Sequence, residues 1–440
     1  MAVFRNPAYQ QSSVTLWLFF ASWGVWWSFF QIWLTSEENG LGLNGSQVGT
    51  VYSANSIATL FVMFFYGTIQ DKLALKRHLM ILAAVGMACV APFVIFVYQP
   101  LLKHAFGFGV VAGMLFIPIG FTAAAGLLEA FSERMSRTYG FEYGQARGWG
   151  SLGYALAALV AGFMFTINPM INFVAGSILG ILCLLVQIFW KTDKVPTTPG
   201  HTAHPATPSI REIAALLKVP SLWQIIVFVI FSWTFYNLFD QQMFPDWYTG
   251  LFDTKETGER TYGVLNSGQV FLEAGMMMAV PILMRKTGPR NILLLGVTVM
   301  SLRILGCAIF DDAVTVSVIK MFHAVEVPLF ILGMFRYITL HFPTKLSATL
   351  YMVGFEVSAQ VGNAIFAQPF GALRDRIGYQ ETFLVIAGLV TVAGLWAFFS
   401  LKKDDQDVQG DPFLRDSRSG EEKPVAGETS AVGETSTAGE

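Results

Sequence analysis

Charged residues are scarce in this chain. Lys, Arg, Asp and Glu make up 13% of its 440 residues, whereas 54% are hydrophobic and the mean hydropathy is +0.53. This composition excludes an ordinary soluble domain and predicts an all-α polytopic membrane protein. The net charge of −2 offers no basic surface for nucleic acid, so no nucleic-acid partner is expected.

Cysteine and the common catalytic motifs are also lacking. The three cysteines, Cys89, Cys183 and Cys307, lie in apolar runs, and none is spaced for a metal site or a CxxC redox motif. There is no Walker A, HExxH or GxSxG motif, which argues against an ATP-driven or hydrolytic protein. We therefore expect no metal, no cofactor and no enzymatic activity.

Long apolar runs are abundant instead. Because about 20 apolar residues cross a bilayer as a helix, we predict twelve transmembrane helices. They cover approximately residues 14–34, 47–70, 78–98, 106–136, 144–166, 169–190, 220–248, 261–284, 291–310, 313–338, 346–371 and 381–401. The polar segment 191–219 is predicted to be a cytoplasmic loop between two six-helix halves, residues 1–190 and 220–401. The polar tail, residues 402–440, is predicted to be disordered and cytoplasmic.

The distribution of Lys and Arg predicts the orientation in the membrane. With the amino terminus inside, twenty of the 28 basic residues fall in inner segments and five in outer ones. Because basic residues concentrate in cytoplasmic loops, both termini are expected in the cytoplasm. The three that remain lie inside predicted helices: Arg147, Arg303 and Lys320.

One predicted helix carries three ionisable residues at regular spacing. Lys320, His323 and Glu326 stand at i, i+3 and i+6, which places them on one helical face. Each charge near the bilayer centre costs about 2.5–3.5 kcal/mol, so this face must meet protein or water. A structural salt bridge is one explanation. We favour a proton relay, because His and Glu are readily tuned to exchange protons near neutral pH.

Other ionisable residues lie in predicted helices of both halves. Glu129 and Arg147 stand at the facing ends of the fourth and fifth helices, while Asp240, Glu273 and Arg303 belong to the second half. Exposing them to lipid would carry a heavy desolvation penalty, so we expect them to share a wet cavity between the halves. Charged turns after the second and eighth helices are typical of transporters built from two parallel repeats.

Several motifs carry a resemblance to a known family. They are Phe239-Asp240-Gln241-Gln242, Phe141-Glu142-Tyr143-Gly144-x-Ala146-Arg147, Lys320-x-x-His323-x-x-Glu326-Val327-Pro328 and Leu346-Ser347-Ala348-Thr349. Over nearly its whole length the chain resembles the oligosaccharide:proton symporters of the major facilitator superfamily. The first-helix segment Ser22-Trp23-Gly24-Val25-Trp26-Trp27 and the fifth-helix segment Trp149-Gly150-Ser151-Leu152-Gly153-Tyr154 are most similar to the sucrose-transporting branch.

The resemblance implies proton-coupled symport of a disaccharide across a bacterial inner membrane by a monomer. Sucrose is the first-choice substrate, and the alternative substrates are lactose, melibiose and raffinose. The resemblance also implies that Glu129, Arg147 and Glu273 bind sugar hydroxyls, and that Tyr154 offers its ring to a hexose face. A membrane sugar sensor that transports nothing is the alternative from another class, but the short polar tail is too simple for a signalling domain.

Roles in proton transfer are implied for six residues of the second half. Glu326 is the implied proton carrier, His323 couples it to the sugar site, and Arg303 helps it to release the proton. The resemblance implies that the other three form a supporting polar network: Tyr236, Asp240 and Lys320.

The chain departs from lactose permease at several positions. Asn237 and Ala359 stand where that protein has an Asp and a Lys, and their joint replacement keeps the charges balanced, which favours the sucrose branch. Glu273 lies about one turn from the corresponding carboxylate, which aligns near Val270. Glu129 replaces an Asp of the sucrose permeases. The resemblance assigns no role to Glu356.

Overall fold

The fold is described from a computed structural model of the chain, for residues 6–73, 75–190, 218–342, 350–406 and 408–409, with the side chains of residues 71 and 72 left out. Most of the predicted loop 191–219 and of the predicted tail 402–440 lies outside the described residues. The motif at residues 346–349 lies outside them too.

Twelve long helical segments make up the described part of the chain, and no strand occurs in it. They are α1 (Pro7–Thr35), α2 (Gly45–Gln70), α3 (His78–Ala88 and Val90–His104), α4 (Phe106–Tyr139), α5 (Tyr143–Ile167), α6 (Pro169–Phe189), α7 (Pro220–Thr249), α8 (Lys255–Thr287), α9 (Pro289–Ile309), α10 (Ala313–His341), α11 (Met352–Val357 and Ser358–Ile377) and α12 (Tyr379–Ser400). The predicted all-α architecture is therefore confirmed.

Eleven of these segments are long and apolar enough to span a membrane, if the two pieces of α3, bent by 52°, count as one span. The remaining segment, α11, carries Gln360, Asn363 and Gln368 among its apolar residues. Together with Glu356, these amides lower the hydropathy of its described residues, although it is as long as the other segments. A polar helix of this length in a membrane protein must direct its amides toward other protein or water.

Local sequence explains where several helices begin. Asn6 precedes α1, and its Oδ1 accepts hydrogen bonds from the Ala8 and Tyr9 amides at 3.0 and 3.4 Å. Asp312 precedes α10 in the same way and accepts from the Thr315 amide at 2.8 Å. Side-chain oxygens of Asn and Asp satisfy amides that have no partner within the first helical turn.

The helix α7 departs from regular α-helical geometry around its polar residues. Two π-helical segments, Ile230–Thr234 and Leu238–Met243, flank the short stretch that contains Tyr236. The second segment also contains Asp240. A π-helical turn holds an extra residue and changes the direction of the side chains that follow, and such turns are frequent at functional sites.

The two halves meet closely at the face opposite the chain ends. The carboxylate of Asp375, near the end of α11, accepts hydrogen bonds from the Gly45 and Ser46 amides at the start of α2, both at 2.7 Å. A Cβ at Gly49 would lie 2.3 Å from the Ala367 carbonyl oxygen, so only glycine permits this approach. This face of the molecule is closed.

A wide cavity of about 690 Å³ separates the halves toward the opposite face. Its lining includes Gln70 and Arg134, in the last two turns of α2 and α4. The chain start lies at this face, because the Asn6 side-chain amide donates to the Tyr139 carbonyl oxygen, at the end of α4, at 3.0 Å. The cavity therefore opens on the side of the amino terminus.

Candidate functional site

A central cavity of about 310 Å³ lies between the halves, deeper than the wide cavity. Six of the ten predicted site residues line it: Arg147, Tyr154, Tyr236, Asp240, Glu273 and His323. Glu129 lines the wide cavity, and Tyr154 lines both. The other three predicted residues, Arg303, Lys320 and Glu326, are buried behind the central cavity with exposures of 0–2%.

Glu129 and Arg147 form an ion pair between α4 and α5. The Arg147 Nε lies 2.6 Å from the Glu129 Oε1, and the Arg147 Nη1 donates to the Ser151 hydroxyl at 3.1 Å. The guanidinium also lies 4.1 Å above the centre of the Phe20 ring. About one third of each charged side chain remains exposed, so this pair can offer donors and acceptors to a polar ligand.

Glu273 faces the central cavity from the opposite half. It shares one face of α8 with Asn266, Gln269 and Val270, which all line the cavity. Because Val270 and Glu273 line the same space, the offset of one turn does not remove this carboxylate from the site. No residue in the described ranges forms a hydrogen bond or an ion pair with it. Glu273 therefore presents free acceptors across the cavity from Arg147.

Aromatic rings form much of the remaining wall. Tyr154 packs against α1 at Gly24, where a Cβ would lie 2.8 Å from the Tyr154 Cδ2. Trp23 and Trp27 line both cavities. Trp26 is 2% exposed and packs on Phe121, with ring centres 4.9 Å apart. Trp23 and Trp27 therefore belong to the cavity wall, whereas Trp26 belongs to the core of the first half.

A buried charge cluster lies directly behind the central cavity. The Arg303 guanidinium contacts the Asp240 Oδ1 at 3.1 Å through Nη1 and the Glu326 Oε1 at 2.7 Å through Nη2. The Lys320 Nζ reaches the same Asp240 oxygen at 2.5 Å. Arg303 thus bridges two carboxylates, and Asp240 is shared by two cations. Pairing of this kind offsets part of the desolvation cost of buried charges.

His323 connects this cluster to the cavity. Its Nδ1 lies 3.3 Å from the Asp240 Oδ1 and 3.8 Å from the Glu326 Oε1. The Tyr236 hydroxyl lies 2.9 Å from the same nitrogen. A short irregular turn at Phe322 separates the helical pieces of α10 that carry Lys320 and His323. The two side chains and Glu326 nevertheless converge on Asp240 and Arg303, as their spacing predicts.

Glu326 is fully buried, yet part of its hydrogen-bonding capacity is unused. Its exposure is 0%, and neither of its carboxylate oxygens forms a hydrogen bond of good geometry with a described residue. Its Oε1 faces Arg303 at 2.7 Å. A carboxylate held by one cation through one oxygen keeps a second oxygen that can carry a proton. The geometry therefore leaves one oxygen of Glu326 available to carry a proton.

Several residues of the site were not identified from the sequence. Phe20 lies under Arg147, and Phe239 and Phe244 lie under the buried cations, with distances of 4.9 Å from Arg303 and 4.7 Å from Lys320. Phe239 belongs to the motif Phe239-Asp240-Gln241-Gln242, but in a chain with 39 phenylalanines nothing marks Phe20 or Phe244. The sequence does contain a pattern that points to Asn266 and Gln269 as cavity residues. They are polar residues at helical spacing that precede Glu273 in an apolar helix.

Comparisons with known proteins identify the family of the chain. The chain is 40% identical to the sucrose permease of Escherichia coli over 405 residues, which cover 92% of this chain and 96% of that protein. It is 32% identical to the lactose permease of Klebsiella oxytoca over 383 residues, which cover 86% and 91%. The relatives are transporters, as is expected for a chain predicted not to be an enzyme.

A solved structure and a family match complete the comparison. A mutant of the nucleoside transporter NupG superposes with a TM-score of 0.76 at 16% identity, covering 90% of this chain and 100% of that one. The predicted major facilitator fold is thereby confirmed. The family described as "LacY proton/sugar symporter" matches residues 1–411. The chain belongs to the LacY proton/sugar symporter family.

Proposed function

We propose that this protein imports sucrose together with a proton across the inner membrane of a bacterium. The observation that carries the proposal is the central cavity, where an ion pair from one half faces a free carboxylate from the other, beside a buried proton-binding cluster. Sucrose is the substrate of choice because the chain is 40% identical to a protein named sucrose permease.

In this proposal the sugar binds between Arg147 and Glu273. The Arg147 guanidinium offers N–H donors in a planar fork, and Glu129 accepts hydroxyl protons beside it. Glu273 accepts hydroxyls from the opposite half, so that bound sugar draws the halves together. The Tyr154 ring covers a hexose face. Because both halves contact one ligand, binding favours conformations in which they approach each other.

Glu326 is the proposed proton carrier. Protonation removes a fully buried negative charge, and Arg303 then keeps its contact with Asp240 at 3.1 Å. His323 lies between the carrier and the cavity wall, so it links the protonation of Glu326 to the sugar site. Tyr236, Asp240 and Lys320 hold His323 and Arg303 in place. The coupling is a free energy, since each ligand shifts the conformations only by its difference in affinity for them.

Alternating access follows from the same arrangement. We place both termini in the cytoplasm, so the wide cavity opens inward and the contact between Asp375 and α2 closes the outer side. Releasing that contact while the wide cavity closes would expose the central cavity to the outside. A single chain encloses the whole pathway, and we propose that it works as a monomer.

Uptake of labelled sugars by cells that lack their own permeases tests this proposal. Sucrose is expected to accumulate against its gradient, and a protonophore should abolish the accumulation. Lactose, melibiose and raffinose serve as competitors. Accumulation of lactose without sucrose would contradict the choice of substrate. Binding of sucrose without any counterflow in vesicles would indicate a sensor, and chemical change of the sugar would indicate an enzyme.

A further inference from the structure

Glu259 is a buried carboxyl group near the start of α8 that the proposed function leaves unused. The residue is 2% exposed, and it lines neither the central nor the wide cavity. Its carboxyl group forms no hydrogen bond and no ion pair with any residue in the described ranges. Burying a carboxylate without a partner is costly, and such a residue in a membrane protein marks a functional site by default.

The surroundings of Glu259 include a contact between the two halves. A Cβ at Gly162 of α5 would lie 3.1 Å from the Glu259 carbonyl oxygen and 3.2 Å from the Gly263 Cα, so α5 and α8 approach closely here. Tyr262 of α8 packs on Phe29 of α1, with ring centres 5.6 Å apart. Because α8 begins at the closed outer side, these contacts belong to that closure. Contacts with the first half therefore contribute to the burial of Glu259.

Glu259 also continues the polar face of α8 toward the outer side. Residues 259, 262, 266 and 273 lie within about 60° of one another around the helix axis. Tyr262, Asn266 and Glu273 line the central cavity. Glu259 lies about 21 Å from Glu273 along the helix, at the outer end of this face. Once the halves separate at the outer side, Glu259 would border the path from the outside to the central cavity.

Few charges compensate Glu259. Three charged residues are close enough to act on it electrostatically: Lys255 and Glu256 of α8, and Glu38 of the connection between α1 and α2. Lys255 favours the ionised carboxylate and the other two oppose it, but all three residues are exposed, so water and salt screen them. The neighbouring positions of α1, α5 and α7 carry no titratable group: Phe29, Gly162 and Thr249. Burial without a partner favours the neutral, protonated form of a carboxyl group.

We propose that Glu259 is a second proton-binding residue, which holds a proton while the outer side is closed and releases it to the outside when that side opens. Because the closed form binds this proton more tightly than the open form, acid favours closure and a rising pH favours opening. The proton returns to the outside, since Glu259 has no access to the wide cavity, and Glu326 remains the carrier. The proposal rests on the alternating access of the proposed function.

Distances between two spin labels on the purified full chain test this proposal. The labels are attached to Lys103→Cys and Asp311→Cys, which are exposed at the outer side of the first and second halves, after serine has replaced the three native cysteines. A Glu326→Gln background removes the proposed carrier as a source of pH dependence. In this background the ratio of open to closed molecules should rise between about pH 5 and about pH 8, by up to about tenfold for each pH unit, the limit for one proton. Adding Glu259→Gln should abolish the rise and keep the outer side closed at both pH values.

Glu256→Gln is the matched control, because Glu256 lies on the same helix but is exposed and pairs with Arg260 at 2.5 Å. It should leave the pH dependence unchanged. If Glu259→Gln does not fold, Glu259→Ala also lacks the titratable group and should give the same loss of pH dependence.

The outcomes separate this inference from the proposed function, because the distances are measured without transport. An equal pH dependence with and without Glu259 would overturn the inference and leave the sugar site and Glu326 in place. The absence of any pH dependence in the Glu326→Gln background would overturn it in the same way. A parent whose distance changes neither with pH nor with sucrose would refute alternating access and, with it, both proposals.

Discussion

The two charged groups of this protein differ in their access to water. The Glu129–Arg147 pair joins two helices of the first half and keeps about one third of each side chain exposed to the cavity. The cluster of Asp240, Arg303 and Glu326 belongs to the second half, and the Arg303 and Glu326 side chains are 0% exposed. The first group is therefore open to a ligand that enters and leaves, whereas the second is shielded from water in this structure.

The number of carboxylate partners differs in the same sense. Arg147 contacts one carboxylate, the hydroxyls of Ser151 and Tyr143, and one aromatic ring, and its side chain stays about one third exposed. Arg303 contacts two carboxylates and lies over the ring of Phe239. Removing one partner from a buried pair leaves an uncompensated charge, which costs about 3–5 kcal/mol. In the proposed mechanism, loss of a proton from Glu326 restores its pairing with Arg303, so protonation and pairing are linked.

The largest effect is expected from Glu326→Gln. Glutamine resembles the protonated carboxylate and cannot release a proton, so proton-driven accumulation of sucrose should be lost completely. Exchange of labelled sucrose across the membrane should continue, because the Glu129–Arg147 pair is intact. Counterflow and protonophore-sensitive uptake in vesicles measure the two activities. Full active accumulation by this variant would show that Glu326 is not in the proton pathway. The buried cluster would then have no role in transport that differs from that of the Glu129–Arg147 pair.

Arg147→Lys should weaken sugar binding about tenfold or more while leaving insertion and folding intact. Lysine keeps the positive charge but cannot reproduce the planar fork of donors, and hydrogen bonds to charged groups contribute about 1.5–3 kcal/mol. Binding can be measured as protection of a Ser151→Cys side chain from a maleimide, with the exposed Cys89 replaced by serine.

Arg137→Lys serves as the control for this substitution, because Arg137 pairs with Glu133 on the surface of the same half. It should leave protection unchanged. Equal protection of the cysteine by the sugar in Arg147→Lys and in the parent, at the same sugar concentration, would show that Arg147 is a structural partner of Glu129 only. The sugar site would then centre on Glu273 and the second half.

The smallest effect is expected from replacing the phenylalanines whose rings lie against Arg147 and Arg303. Phe20→Leu removes the ring under a partly exposed guanidinium, where a cation–π contact contributes about 0.5–1 kcal/mol, so sugar affinity should fall a few-fold. Phe239→Leu removes the ring under a buried guanidinium, where the contribution reaches about 2 kcal/mol. Thermal unfolding in detergent should show the larger loss of stability for Phe239→Leu. Equal losses would contradict the difference in burial.

Much of the site follows from the chain alone, since each of its charged members lies in an apolar helix where no charge is tolerated against lipid. The spacing of Lys320, His323 and Glu326 predicts that they share one helical face, and all three lie within 3.3 Å of Asp240 or Arg303. The sequence does not separate Trp23 from Trp26, because neighbouring residues of one helix have similar composition but face different helices. Phe20 had no signal for the same reason, and the motif that contains Phe239 does not show that its ring lies against Arg303.

The sequence by itself determined the helices, because hydropathy is a sum over neighbouring residues and needs no knowledge of the rest of the chain. Only the tertiary structure decided which side of the molecule is closed. The Asp375 carboxylate reaches the Gly45 amide from a helix 330 positions away along the chain, at 2.7 Å. Tertiary packing also decided that Glu356 faces the same cavity as Glu129. Such contacts depend on the relative placement of whole helices, which local sequence patterns do not encode.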